Sequence, residues 1–150
     1  MKVTVWAVAV ALVAAGCSYA PPGPPPPGGV TRLPKDPVIP ARLAGLPAWE
    51  AATACNTVVV HSAIDRQRAL GQMASFDEEF RRANYLTRLF WAYAHHTAAV
   101  DRQLGGPLAS KFVYEQARRW DYAPPARRPT YAECERFAPV IERLVAAIKK

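Results

Sequence analysis

The sequence predicts an all-α fold, namely a small four-helix bundle pinned by a disulfide and preceded by a signal peptide and a disordered proline-rich tether. Two observations predict the bundle: from Pro47 onward four segments carry apolar residues at steps of three and four, and residues typical of helix ends bound these segments. A third observation is that no segment reads convincingly as a strand. The predicted divisions are 1–16 for the signal peptide, 17–46 for the tether and 47–150 for the helical domain.

The first element is a short apolar run. Residues 3–15 are apolar apart from Thr4, they follow Lys2, and the run ends in small residues. As a helix this run spans roughly 20 Å, which is less than the ~30 Å hydrocarbon core of a bilayer. We therefore expect a secretory signal peptide rather than a permanent transmembrane helix.

Cys17 follows this run in the tetrapeptide AAGC. The tetrapeptide resembles the lipobox of bacterial lipoproteins, and this resemblance implies that the chain is cut before Cys17 and that the Cys17 sulfur is acylated. Ser18 resembles the sorting pattern of lipoproteins sent to the outer membrane. We therefore expect a location in the bacterial cell envelope, lipid-anchored to the outer membrane with the domain facing the periplasm. The alternative is a plain secreted protein with a free thiol.

A proline-rich stretch separates Cys17 from the helices. Ten of the fifteen prolines lie between Pro21 and Pro47, and the apolar residues there have no regular spacing. This composition favours extended polyproline-like conformations, in which residues 18–46 reach up to ~90 Å. We expect this stretch to be a spacer between membrane and domain. The alternative is that it is a ligand for a domain that binds proline-rich peptides.

The first two helices have predicted boundaries. Helix one is expected to begin at Pro47 and to stop at Gly71. Helix two is expected to use Ser75 as its N-cap, with Glu78 completing a capping box, and to stop at the glycine pair 105–106. The apolar stripe of the first helix consists of Trp49, Ala52, Cys55, Val59 and Ala63.

The last two helices complete the bundle. Helix three is expected to start at Pro107 and to end before the proline pair 124–125, and helix four is expected to start with a capping box of Thr130 and Glu133. Pro139 is expected to bend the fourth helix because it removes a backbone donor. The apolar stripes are Ala109, Val113, Ala117 and Trp120 in the third helix and Cys134, Phe137, Ile141, Leu144 and Ile148 in the fourth.

Cys55 and Cys134 lie on the apolar stripes of the first and last helices. In an oxidising envelope this placement favours a disulfide that joins the two helices. The alternative is a reactive thiol with a histidine partner, which export and an apolar position both disfavour.

The polar residues predict neither catalysis nor a metal or other cofactor, so we expect that the protein is not an enzyme. His95 and His96 point ~100° apart on a helix and do not converge on one metal ion. His61 and Asp65 have a compatible spacing but no specified third ligand. His61, Asp65 and Ser62 are neighbours on one helix. Side chains so placed do not converge as the nucleophile, base and oxyanion donors of a catalytic triad must.

The charge balance indicates the class of partner. The chain carries +7 from 19 basic and 12 acidic residues, and removal of Lys2 with the signal peptide leaves 7 − 1 = +6. An exported, membrane-tethered chain meets little nucleic acid, so acidic headgroups or acidic protein surfaces are the expected neighbours. A solvated surface of mixed charge is the alternative, and no nucleic-acid or small-molecule partner is expected.

The stretch YLTRLFWAYAHH in the second helix is the strongest candidate for a binding surface. Its apolar arc is wider than a surface helix with two neighbours needs. Two interpretations remain open: a central helix that touches all the others, or a groove that accepts a partner helix. The candidate residues are Tyr85, Leu89, Phe90, Trp91 and Tyr93 in the arc, and Arg81, Arg82 and Arg88 to face acidic groups of the partner. A second candidate patch consists of Arg118, Arg119, Arg127 and Arg128.

These features together resemble one family. A lipobox, a spacer, a four-helix domain, a cysteine pair between first and last helix, and the segment CERFAPVIERL look like the pilotin lipoproteins of type II secretion. The resemblance rests on Cys17, Cys55, Cys134, Phe137 and Pro139. It implies a lipoprotein whose groove binds a C-terminal helical segment of the secretin and carries it to the outer membrane. The alternatives are a small inhibitor, immunity or chaperone-like lipoprotein and, third, an enzyme.

Overall fold

The structure, a computed structural model, describes residues 30–148. This region contains the helices α1 (Ala48–Leu70), α2 (Glu78–Arg102), α3 (Gly106–Asp121) and α4 (Tyr131–Ile148), with a 3₁₀ turn (Gly71–Phe76) between α1 and α2. The described residues form no strand beyond an isolated bridge between Arg32 and Pro47. The predicted all-α, four-helix fold is confirmed. None of the helices in this region is both long enough and apolar enough to cross a bilayer.

The ends of α1 lie where the sequence predicts them. Pro47 precedes the first helical residue, and Gly71 follows the last one with a φ of 57°. Such a left-handed backbone is costly for residues with a Cβ, so a glycine at this position ends the helix without strain. The whole predicted stripe of this helix is buried.

The start of α2 differs from the prediction. Ser75 is not the N-cap, because residues 71–76 form the 3₁₀ turn and delay the helix. Asp77 takes this role: its backbone is extended, and its Oδ1 accepts a hydrogen bond of 2.8 Å from the Phe80 N–H. Glu78 is therefore the first helical residue rather than the third, and the predicted capping box is not formed.

The boundary between α2 and α3 also differs in detail. α2 ends at Arg102, ahead of the glycine pair, because Gln103 adopts a left-handed φ of 52°. Pro107 lies in the first turn of α3, as predicted. In the α3 stripe, Ala117 is only half-buried, while Phe112, which the predicted stripe omits, is buried.

The start of α4 confirms its capping box. The Thr130 N–H donates to Glu133 Oε2 at 2.7 Å, and the Glu133 N–H donates to Thr130 Oγ1 at 3.2 Å. The backbone hydrogen bond from Thr130 lowers the pKa of Glu133. Helix α4 continues through Pro139, which lies on its exposed face.

Helices α1 and α2 form the centre of the domain as an antiparallel pair. Both pack against α3 and α4, whereas no Cα atom of α3 lies within 8 Å of a Cα atom of α4 in the described region. Trp49 meets Phe112 of α3 with ring centroids 4.9 Å apart, and Phe90 meets Phe137 of α4 at 5.8 Å. The bundle is therefore a central helix pair on which α3 and α4 pack separately.

Residues 30–46, here called the strap, pack against the helices although the sequence analysis assigned them to the tether. Leu43 is fully buried and Ile39 nearly so. The Thr31 carbonyl accepts a hydrogen bond of 2.8 Å from the Ala48 N–H. The packed region thus extends N-terminal to the predicted boundary at residue 46. The strap has no apolar periodicity of its own, but single apolar side chains pack it against a core that the helices form. The signal peptide, Cys17 and the rest of the tether fall in 1–29, outside the described residues.

The strap runs antiparallel to α4. Arg42, near the end of the strap, pairs with Glu133 in the first turn of α4 at 3.5 Å. Asp36, earlier in the strap, pairs with Arg143 near the other end of α4 at 3.3 Å. The start of the strap therefore lies at the C-terminal end of α4.

Candidate functional site

The apolar arc predicted on α2 is mostly part of the core. Phe90 is fully buried and Tyr93 is 3% exposed, while Leu89 and Trp91 are half-buried and pack against the same core. Burial also raises the pKa of the Tyr93 hydroxyl. The arc is wide because α2 contacts three helices, so Phe90 is not available as a surface contact for a partner, and Tyr93 exposes only an edge that lines the groove described below.

Tyr85 and Arg82 are engaged between α2 and α4. The Tyr85 hydroxyl donates to Glu142 Oε1 at 2.8 Å, and this hydrogen bond raises the Tyr85 pKa. Arg82 pairs with Glu135 at 3.3 Å, and its guanidinium lies 5.4 Å from the Tyr85 ring centroid. These two predicted binding residues therefore hold α4 against α2.

Arg81 and Arg88 remain as predicted binding residues on the surface. Both side chains are exposed, and neither forms an ion pair or hydrogen bond with any residue that the structure describes. Arg88 begins a row at four-residue spacing, here called the outer ridge, whose members are all exposed. The outer ridge consists of Arg88, Ala92, His96 and Val100.

An open groove lies beside the end of this ridge, between the C-terminal halves of α2 and α4. Its volume is about 290 Å³, and Val100 and Ile148 flank it with 55% and 40% of their surfaces exposed. The Thr97 hydroxyl is already satisfied because it donates to the Tyr93 carbonyl at 2.8 Å. The groove, here called the α2–α4 groove, is lined by Thr31, Tyr93, His96, Thr97, Val100, Leu144, Ala147 and Ile148. The α2–α4 groove is therefore a mainly apolar surface with aliphatic side chains exposed to solvent at its edge.

The sequence analysis missed most of this groove. Val100 and Ile148 lie on separate helices 48 positions apart, and Thr31 comes from the strap. A local signal for part of it exists, since Val100 continues the four-residue row that starts at Arg88. The other walls depend on how α4 and the strap are placed.

A larger polar cleft of about 760 Å³ lies between the α1–α2 turn and the start of α4. Both of its arginines are paired: Arg66 pairs with Asp77 at 3.5 Å and also contacts Glu79, and Arg82 pairs with Glu135. The lining residues are Ser62, Arg66, Asp77, Glu78, Glu79, Arg82, Tyr131 and Glu135. This cleft is a solvated ion-pair network that joins three elements.

The second arginine patch is partly engaged within the domain. Arg119 and Arg127 line a cavity of about 150 Å³ together with Glu50. Burial raises the pKa of Glu50, and the two guanidinium groups oppose this shift. The Arg128 carbonyl accepts a hydrogen bond from Arg42. The patch therefore serves contacts between the strap, α1 and the α3–α4 connection.

In the described region, His61 and His95 have different hydrogen-bond partners. His61 contacts Asp121 of α3 at 2.7 Å, whereas Asp65 pairs with Arg68 at 3.7 Å. Ser62 lines the polar cleft and is not hydrogen-bonded to His61. Within residues 30–148 no group of three or more potential ligands is placed to hold a metal ion.

Cys55 and Cys134 form the predicted disulfide between α1 and α4. Both cysteines are fully buried, so the bond lies in the core rather than at a reactive surface. It fixes the N-terminal half of α1 to the first turns of α4.

No protein-family model matches this chain, and no curated protein or solved structure is significantly similar to it.

Proposed function

We propose that this protein is a membrane-anchored, periplasm-facing binding lipoprotein, an accessory or pilotin-like factor that holds a helical segment of an envelope or secretion-machine protein. The observation that carries the proposal is the α2–α4 groove, with Val100 and Ile148 exposed at its edge. Apolar grooves between helices accept the apolar face of an amphipathic helix in many binding proteins. The lipid anchor at Cys17, the outer-membrane location and the pilotin resemblance belong to the same proposal and rest on the sequence alone.

The proposed role is binding rather than catalysis. The groove is lined mainly by aliphatic and small side chains, and its Thr97 hydroxyl is already hydrogen-bonded. Such a lining favours burial of apolar surface, and neither of its threonine hydroxyls is an activated nucleophile, because each already donates a hydrogen bond within the domain.

The test is site-specific crosslinking in intact cells of the source bacterium. A photoreactive amino acid at position 100 captures whatever occupies the groove, and mass spectrometry of the crosslinked peptide identifies its sequence. We expect one reproducible envelope protein, crosslinked through a segment with helical apolar periodicity.

Two isoleucines of matched exposure provide the control. Ile148 in the groove is 40% exposed, and Ile64 on α1, outside the groove, is 39% exposed. Ile148→Ser should reduce the crosslink strongly, and Ile64→Ser should leave it unchanged. Equal yields from both variants, or no reproducible partner together with normal secretin assembly after deletion of the gene, would refute the proposal.

A further inference from the structure

The surface of α2 beside the groove carries positive charge without matching negative charge. From Arg81 to Gln103 the sequence contains four arginines and one carboxylate, Asp101. Asp101 is 1% exposed, so it contributes no acidic group to the surface. Arg81 and Arg88 are exposed and have no partner among residues 30–148. Arg82 pairs with Glu135, and Arg81 lies one turn from the exposed Glu78, so the exposed, unmatched positive charge nearest the groove on this helix is that of Arg88.

Arg88 and the groove lie on the same row of side chains. The outer ridge begins at Arg88 and reaches the groove at Val100, and rows at four-residue spacing are the ridges that pack into the grooves of a neighbouring helix. Ala92, between these two residues, is small and lets a second helix approach closely. The 12 positions from Arg88 to Val100 cover about 18 Å along the axis. The ridge is thus cationic at one end and apolar at the other.

We propose that the partner of this groove is an acidic amphipathic helix, with an apolar side chain seated in the α2–α4 groove and a carboxylate about three turns away that faces Arg88. This inference rests on the proposed function of the same groove. Eleven residues of helix cover about 16 Å and return to nearly the same face. The expected partner therefore carries an apolar residue and an Asp or Glu about eleven positions apart.

The alternatives to this partner differ in what they need. An anionic lipid surface uses the arginines but leaves the concave groove unfilled. A second copy of this chain has to present an acidic helix of its own to the ridge. Charge complementarity along a helical ridge that ends in an apolar groove favours a helical peptide, and the other two occupants become outcomes of the test.

The experiment uses three synthetic 18-residue helical peptides that differ at one position. Each peptide has a leucine anchor and, eleven residues away, Glu, Gln or Lys. Binding to the full chain in nanodiscs of zwitterionic lipid is measured by fluorescence anisotropy, with empty nanodiscs as the blank. At low salt we expect the Glu peptide to bind about two- to fivefold more tightly than the Gln peptide, and the difference to vanish near 1 M salt.

Charge reversal identifies the responsible residue. Arg88→Glu should invert the order, so that the Lys peptide binds most tightly. Arg118→Glu, which reverses an exposed arginine of α3 that also has no partner among the described residues, is the matched control and should keep the original order. Ile148→Ser should weaken all three peptides equally.

The outcomes separate the two proposals. If Ile148→Ser weakens binding but Glu and Lys peptides bind alike, the acidic-partner inference is refuted and the groove proposal stands. If no peptide binds, or if Ile148→Ser has no effect, both are refuted. If the protein binds anionic vesicles through Arg88 and Ile148→Ser leaves this binding intact, the ridge is a lipid-binding surface. If the protein dimerises and Ile148→Ser abolishes the dimer, the ridge binds a second copy of the chain. Either result would overturn the inference.

Discussion

Asp101 is a buried carboxylate in an unfavourable place. It lies in the last turn of α2, where the helix dipole disfavours negative charge, and it is 1% exposed. An unpaired buried charge is costly. Thr31 offsets this cost, because its N–H donates to Asp101 Oδ2 at 2.9 Å and its hydroxyl donates to Oδ1. These two hydrogen bonds thereby fix the start of the strap to the end of α2.

The first prediction concerns this contact. Thr31→Val keeps the shape of the side chain but removes the hydroxyl donor, which leaves one oxygen of a buried carboxylate unsatisfied. We expect the free energy of unfolding to fall by about 1–3 kcal/mol, measured by chemical denaturation. Thr31→Ser retains the hydroxyl and should stay closer to the wild type. If both variants lost the same stability, the hydroxyl would not be the cause.

Among the elements, α1 is the most enclosed. Its first half is buried on nearly every face, and four of its first seven residues are fully buried alanines: Ala48, Ala51, Ala52 and Ala54, the last 1% exposed. Small side chains let several neighbours approach the same helix at once. The disulfide of Cys55 follows directly, so covalent and packing constraints act on the same stretch of helix.

The second prediction concerns the disulfide. It joins residues 79 positions apart, and the chain-entropy model assigns about 4.5 kcal/mol of stability to closing such a loop. We expect Cys55→Ser together with Cys134→Ser to lower the free energy of unfolding by up to about this amount, measured by denaturant titration. Reduction of the denatured wild type should add about two mass units. An unchanged mass after reduction would contradict the bond.

At the scale of the whole molecule, the backbone separation of α3 from α4 in the described region decides which surfaces are open. Because both helices pack on the α1–α2 pair while their backbones stay apart, α2 retains an exposed outer ridge although it is a central helix. The strap covers another face of α4, and Thr31, its second residue, also lines the groove. The proposed anchor segment therefore joins the domain at the proposed binding site.

The third prediction separates anchoring from folding. Cys17→Ser should move the protein from the membrane fraction to the soluble periplasmic fraction and leave the melting temperature of the helical domain unchanged, since the proposed role of Cys17 is to carry the lipid anchor. Cys55→Ser should keep the membrane location and lower the melting temperature. Cell fractionation and thermal denaturation followed by circular dichroism measure both effects. A membrane-bound Cys17→Ser variant would contradict acylation at this residue.

Local sequence patterns were sufficient for the helices but not for every boundary. The capping box of Thr130 and Glu133 was predictable because both partners lie within one turn. Ser75 and Asp77 are both good N-cap residues two positions apart, and the choice between them depended on the 3₁₀ turn that precedes α2. Periodicity also placed Cys55 and Cys134 on buried stripes, which allowed their pairing to be predicted.

The sequence by itself determined the all-α class, the order of the four helices and the disulfide. Apolar periodicity and capping involve residues only a few positions apart, and the disulfide is a single bond between two cysteines on apolar stripes. Only the tertiary structure decided which part of the α2 arc is core, that the strap packs on α4, and that Thr31, Val100 and Ile148 share one groove. These features arise from packing between residues far apart in the chain. A buried and an exposed apolar residue look the same in sequence until the neighbouring elements occupy one side and leave the other open.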